Sequence, residues 1–234
     1  MIKNVALSDC VHFRGFRYGG FGNNIYEDYI LGLRDGIELR KLRMLLINRV
    51  LGLKANTWEA ALGIKLNGNH RSWSFPWGFY SVPVDFEPTA SNNPDVICHF
   101  SSEGVLASHL NREFFWLERA FQSMQIGYMP DRYGYIQLLT LQKKGQRRFI
   151  VLDGNHRISA MHALGITHFD AQCKWVGLRD SRYARIWPSV LIGHISLGDA
   201  LNIFNRYFVN TNLPLPNKIS SWSILYDVPL KVQL

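Results

Sequence analysis

At 234 residues, with 47% hydrophobic and 13% aromatic side chains, the chain is long enough for one large core, or one core and a substantial extension. A formal net charge of +8 and a pI near 9.5 point to an anionic partner without choosing among nucleotide, nucleic acid, acidic glycan and anionic lipid. Cys10, Cys98 and Cys173 are odd in number and lack Cys-x-x-Cys spacing, which excludes an encoded disulfide framework or zinc site, and no stretch approaches the roughly 18 apolar residues of a membrane span.

The opening "MIKNVALSDCVHF" has neither the apolar run nor the cleavage region of a signal peptide, so with this cysteine usage a soluble protein of the reducing cytoplasm is expected. Residues 24–53 are predicted helical, broken or bent around Gly32 and Gly36, with Leu39, Leu42, Leu46, Val50 and Leu53 at helical spacing. Arg34, Arg40, Lys41, Arg43 and Arg49 do not gather on one side of a helical wheel, so a partly buried helix with solvated charges fits better than a membrane-surface helix. Prolines and aromatics in residues 73–95 suit an ordered loop and an extended stretch, and a soft boundary falls there.

The helical pattern resumes over residues 102–126, where Leu106, Leu110, Phe114, Leu117, Phe121 and Met124 share one side before Gly127 and Pro130. "YGYIQLLTL" and "RRFIVLD" read as strands joined by the turn "QKKGQ", a short helix spans residues 158–164, and "HFDAQCKWV" reads as one more strand. Ser196 and Asp199 have capping-box spacing ahead of a last apolar helix. The expected class is therefore α/β or α+β, divided into an N-terminal helical extension with its aromatic, proline-rich loop (1–95), a core (96–176) and a C-terminal helical cap (177–234).

The chemistry concentrates in "DGNHRISAMHALG", residues 153–165. A strand delivers Asp153, Gly154 permits a sharp turn, and the amides of Asn155, His156 and Arg157 then stand at a helix start, where free N–H groups and the helix dipole favour phosphate. The Arg157 guanidinium is expected to be exposed and able to grip two oxygens, and His156 can add a donor. Asp153 would repel phosphate unless a metal or a hydroxyl lies between, which points to Mg²⁺ or to a general base. The plainer alternative is equally open on pattern alone: Asp153 caps the turn, His156 packs, and Arg157 pairs with a carboxylate.

Residues 121–171 resemble the core of the ParB/sulfiredoxin-like superfamily, in which a helix ending S-[IM]-x-x-G precedes a strand and a D-G-x-H-R turn opening an Ala-rich helix. Ser123, Met124 and Gly127 match the first part; Asp153, Gly154, His156, Arg157, Ala160, Leu164 and Gly165 match the second. The resemblance implies a ParB/sulfiredoxin-like core with a phosphate site at the turn, in a superfamily that includes DNA-partition proteins, sulfiredoxins and small-molecule kinases. Sulfiredoxins place a catalytic cysteine where this chain has Asn155, so thiol repair is not expected. The C-terminal stretch offers no helix-turn-helix module, which leaves sequence-specific DNA binding with little support. The kinase branch uses an upstream acidic base, for which Asp85 and Glu87 are candidates with Glu118 behind them; a surface carboxylate is the alternative at each.

"FPWG" and a late Trp-Pro-Ser-Val pattern resemble ParB-like proteins encoded among enzymes of bacterial surface-polysaccharide assembly. That would make the acceptor a sugar or lipid-linked glycan, with Trp73, Trp77, Trp116, Trp175 and Trp187 as stacking faces unless they pack in the core. The tetrapeptide Gly-Asn-His-Arg also occurs earlier, in "NGNHRSW", where His70 and Arg71 are candidate acceptor-binding residues or a chance polar turn. The resulting expectation is a kinase or other nucleotide-dependent phosphotransferase. It would use ATP or ADP with Mg²⁺ on a hydroxyl of a small molecule or glycan, in the cytoplasm or at the inner face of the membrane. In it Asp153 serves the metal or the acceptor, Asp153, His156, Asp85 and Glu87 are the catalytic candidates, and Gly154, Asn155, His156 and Arg157 bind phosphate. A non-catalytic nucleotide-binding switch recruiting a protein partner, and a nucleic-acid binder, stay open as the other classes.

Overall fold

The computed structural model describes residues 1–13, 17–19, 25–52, 75–77, 103–173, 179–193 and 195–209. The candidates His70, Arg71, Asp85 and Glu87 lie outside the described residues, as do Cys98, Trp73 and Trp175. The fold is α/β, a mixed six-stranded sheet with helices.

The strands are β1 (Ile2–Ala6), β2 (Cys10–His12), β3 (Ile136–Lys143), β4 (Gln146–Asp153), β5 (His168–Cys173) and β6 (Arg179–Asp180). Their order is β1-β5-β3-β4-β2, and β6 also pairs with β3. β3 and β4 form the expected antiparallel hairpin, closed by Lys144 and Gly145, while β5 runs parallel to the start of β3 and β6 parallel to its later part. β1 lies antiparallel to β5, and β2 lies parallel to β4. The strands β1 and β2 are not in the sequence reading, which made the N-terminal stretch a helical extension; the boundaries at residues 95 and 176 thus separate stretches that share one sheet. Both strands are short, and their hydrogen-bond partners lie more than a hundred residues away, so no local periodicity announces them.

Alternating side chains divide the interior into two. Ile136, Leu138 and Val151 face a cluster shared with α1 (Ile25–Arg34), α2 (Leu39–Gly52), α3 (Glu103–Ile126) and α5 (Asn155–Ala163), α4 being the short turn Pro130–Tyr133. Leu139, Leu141 and Ile150 face a second cluster with Trp187, Phe204 and Tyr207, supplied by a 3₁₀ turn (Ser181–Ile186), α6 (Pro188–Leu191), α7 (Leu197–Arg206) and the residues adjoining them. The predicted stripe of α3 is its buried face: Leu110, Phe114 and Leu117 are fully enclosed, each such side chain stabilising by about 1.5–3 kcal/mol. Ser196 caps α7 as its spacing predicts, its hydroxyl accepting from the Asp199 amide at 3.0 Å.

Candidate functional site

The site grows from the end of β4. Gln137 pairs with Asp153 and Leu138 with Val151, so β4 carries one unpaired residue, Leu152, and bulges immediately before the turn. Gly154 then adopts φ 95°, ψ 20°, a left-handed conformation that L side chains rarely take. A Cβ there would stand 2.7 Å from Ile136 Cγ1 and 3.1 Å from Arg157 Nη2, so both the backbone and the space require glycine. Because this residue caps the helix directly, α5 begins at Asn155 and not at residue 158 as the sequence reading expected. The first intrahelical bond is Ile158 N–H to Gly154 O at 3.0 Å, so the amides of Asn155, His156 and Arg157 precede the helix's own acceptors.

Each side chain of the turn is held by a different part of the molecule. The Asn155 carboxamide oxygen accepts from the Tyr18 hydroxyl. His156 Nε2 lies 3.0 Å from Glu113 Oε2, and the Tyr26 hydroxyl donates to that same oxygen. Arg157 Nη1 donates to the Gly134 carbonyl at 2.6 Å and to that of Tyr133 at 3.4 Å, while Nη2 is 3.4 Å from Asp153 Oδ2. The Arg157 side chain is only 16% exposed. It ties the turn to the chain after α4, in place of the exposed grip on two oxygens that the sequence reading expects.

Asp153, Gly154, His156 and Arg157 line an open cleft of about 480 Å³ whose opposite wall is α3, with Trp116, Arg119, Ala120 and Ser123, and whose rim includes Tyr133. The two halves of the sequence pattern, Ser123 and the 153–157 turn, thus meet across one cleft. Trp116 and Tyr133 are about half exposed, and Arg119 lies over the Phe115 ring at 5.6 Å. Arg119 and Arg157 together make the cleft a place where anionic groups are favoured.

Glu113 is missing from the sequence reading. It is buried, and burial alone would push its carboxyl up; the hydrogen bond and charge of His156 and the Tyr26 hydroxyl outweigh burial and hold it at about 2. A signal for it exists in the sequence, since Glu113 falls three residues after Leu110 and four before Leu117, on the apolar stripe of α3. A charge there needs a partner.

The other candidates separate cleanly. Glu118 lies 3.0 Å from Arg43 Nε and accepts from the Tyr29 hydroxyl, a tie between α3, α2 and α1 away from the cleft walls. Of the tryptophans in described residues, Trp77 and Trp187 pack into the aromatic cluster and Trp116 stands at the cleft. Arg49 and Asp28 form a buried pair at 2.6 Å. Among the described residues no three His, Cys, Asp or Glu side chains gather as a metal cluster, and no helix is long and apolar enough to cross a membrane. No family model, curated protein or solved structure matches the chain.

Proposed function

We propose that the cleft binds the phosphate chain of a nucleotide and serves transfer of a phosphoryl group to a hydroxyl of a small molecule or sugar. The observation that carries this reading is the left-handed turn at Gly154, which opens α5 with free amides beside a cleft that Asp153, His156, Arg157 and Arg119 line. The resemblance of residues 121–171 to the ParB/sulfiredoxin-like superfamily, carried in part by the same turn, agrees with it.

The amides of residues 155–157 and the Arg119 guanidinium hold phosphate oxygens, and Arg157 keeps the turn in shape while adding positive charge. Trp116 and Tyr133 offer faces for a base or sugar ring. Mg²⁺ is commonly held by one or two protein carboxylates with phosphate oxygens and water completing its shell, and Asp153, exposed on the cleft wall, fits that pattern. When bound, the metal would neutralise charge developing on the phosphates. In this reading the protein works in the cytoplasm, and at the inner membrane face where the acceptor is lipid-linked.

A thermal-unfolding screen of ATP, ADP and other nucleotides with Mg²⁺, followed by phosphorus NMR with sugars and amino acids, tests the reading. A bound nucleotide at a hundredfold excess over its Kd adds about 2.7 kcal/mol of stability, and Arg119→Ala is expected to abolish the shift in unfolding temperature. No shift with any nucleotide at millimolar concentration overturns the nucleotide site.

A further inference from the structure

Phosphoryl transfer to a hydroxyl needs a group that takes the hydroxyl proton, and the cleft offers two. Asp153 lies beside the Arg157 guanidinium, 3.4 Å away, and is the residue suited to a metal. We propose, resting on the phosphotransfer reading above, that His156 is the base, acting through Nδ1, and that Glu113 and Tyr26 are positioning residues that fix its ring.

Three helices converge to make this array: His156 from the first turn of α5, Glu113 from the middle of α3, and Tyr26 from the first turn of α1. Glu113 Oε2 takes both the His156 Nε2 contact at 3.0 Å and the Tyr26 hydroxyl. An ionised carboxylate only accepts, so the neutral imidazole carries its hydrogen on Nε2 and its lone pair on Nδ1. His156 lines the cleft, and among the described residues Nδ1 has no partner. The Tyr26 ring, 5.6 Å from the imidazole between centroids, limits its rotation. Glu113 is buried and held ionised down to about 2, so its charge is present throughout the range in which His156 would work, and that charge stabilises the imidazolium once it forms. This is a nucleophile-activating arrangement in which the acceptor hydroxyl takes the place of a protein nucleophile.

His156 Nδ1 removes the acceptor O–H proton while the acceptor oxygen forms a bond to the terminal phosphorus of the nucleotide. The bridging P–O bond breaks, and its electron pair leaves on the shortened nucleotide. The imidazolium, paired with Glu113, then returns its proton to solvent. Neither an oxidant nor a second nucleotide is needed.

The test uses the full chain with the nucleotide and acceptor identified by phosphorus NMR. His156→Gln and Glu113→Gln are each expected to lower kcat by on the order of 10²- to 10³-fold with nucleotide Kd little changed, and the double variant to be no slower than the worse single. If Glu113→Gln does not fold, Tyr26→Phe, which deletes one hydroxyl, is expected to lower kcat by about tenfold. A readout free of turnover is the ring Nε2–H resonance of His156 in ¹⁵N-histidine-labelled protein: slowly exchanging and downfield in the wild type, lost in Glu113→Ala. A kcat for His156→Gln within about twofold of wild type overturns the base. Additive losses in the double variant, or the absence of that resonance from the wild type, overturn the action of Glu113 through His156. Nucleotide binding without any transferred phosphate overturns the phosphotransfer reading itself, and the base role falls with it.

Discussion

Helix α5 carries a histidine in its first turn and another in its last, and each meets a glutamate from a different helix. His156 contacts Glu113 at 3.0 Å and His162 contacts Glu27 at 3.2 Å. The pairs look alike, but their two carboxyls shift in opposite directions. Glu113 has two donors on one oxygen, which defeat the effect of burial and pull its carboxyl down to about 2. Glu27 is wholly enclosed; burial pushes it up, against contacts with His162 and Ser159, and Asp28 next to it adds to the rise. Over the second pair lies Gly19, φ 106°, where a Cβ would stand 2.7 Å from His162 Nε2. The Glu27 carboxylate beside it raises His162. The donors that reach each carboxylate and the depth of its burial, more than the chemistry of a histidine–carboxylate pair, decide the direction in which each glutamate shifts.

The largest expected effect removes the turn that opens the first end. Gly154→Val combines a left-handed backbone with a clash against Ile136, and should cost about 3–4 kcal/mol, read as a lower urea midpoint with unchanged slope. Loss of less than about 1 kcal/mol would mean that the turn relaxes and that its geometry does not define the cleft.

Next is the pH dependence of the two pairs. The folded carboxyl of Glu113 lies below its unfolded value of about 4.3, so its stabilisation is present above that value and is lost as pH falls toward about 2. Wild type should therefore exceed Glu113→Gln by about 2 kcal/mol at neutral pH, with the gap closing in acid unfolding curves. For Glu27 the sign reverses. Its raised carboxyl and the raised His162 both bind protons more tightly in the folded state, so their contribution is fully present below the unfolded values and is lost as pH rises through the folded ones. The margin of wild type over Glu27→Gln should shrink by about 1 kcal/mol between acid and mildly alkaline pH, and the His162 titration seen by NMR should fall. Parallel profiles for the two variants would erase the distinction between the ends.

The smallest effect sharpens the first end alone. Tyr18→Phe deletes the donor to Asn155 and is expected to cost about 1 kcal/mol in urea unfolding, with the His162 titration unmoved.

What could be read in advance was local. The α3 stripe, the β3–β4 hairpin, the break between α1 and α2 and the Ser196 cap each announce themselves within a dozen residues. So does the sharp turn at Gly154, because Asp153-Gly154 after an apolar strand constrains its own backbone. The strands β1 and β2 were invisible because pairing to β5 and β4 makes them strands, and "IKNVA" and "CVH" alone show little alternation. The placement of Arg157 differs from expectation for a related reason: besides Asp153, the carboxylate partner that the plainer reading allowed, it reaches backbone carbonyls at residues 133 and 134, which leave no mark in side-chain chemistry. Glu113 sat in plain view on an apolar stripe, and only its partners, 43 residues onward and 87 residues back, were hidden.

The pairing of β1 with β5, Ile2 opposite Gln172, has a consequence for how the protein is made. On a ribosome adding about 5–20 residues per second, the N-terminal strand is synthesised roughly 10–30 seconds before the strand that receives it. Until then β1 is an unsatisfied strand in search of an edge, and the neighbouring β2 can dock only after β4 has appeared at residues 146–153. Sheet closure is therefore a late event that draws residues 2–6 to residues 168–172, and its rate should be set by that long loop closure more than by the fast hairpin at its centre.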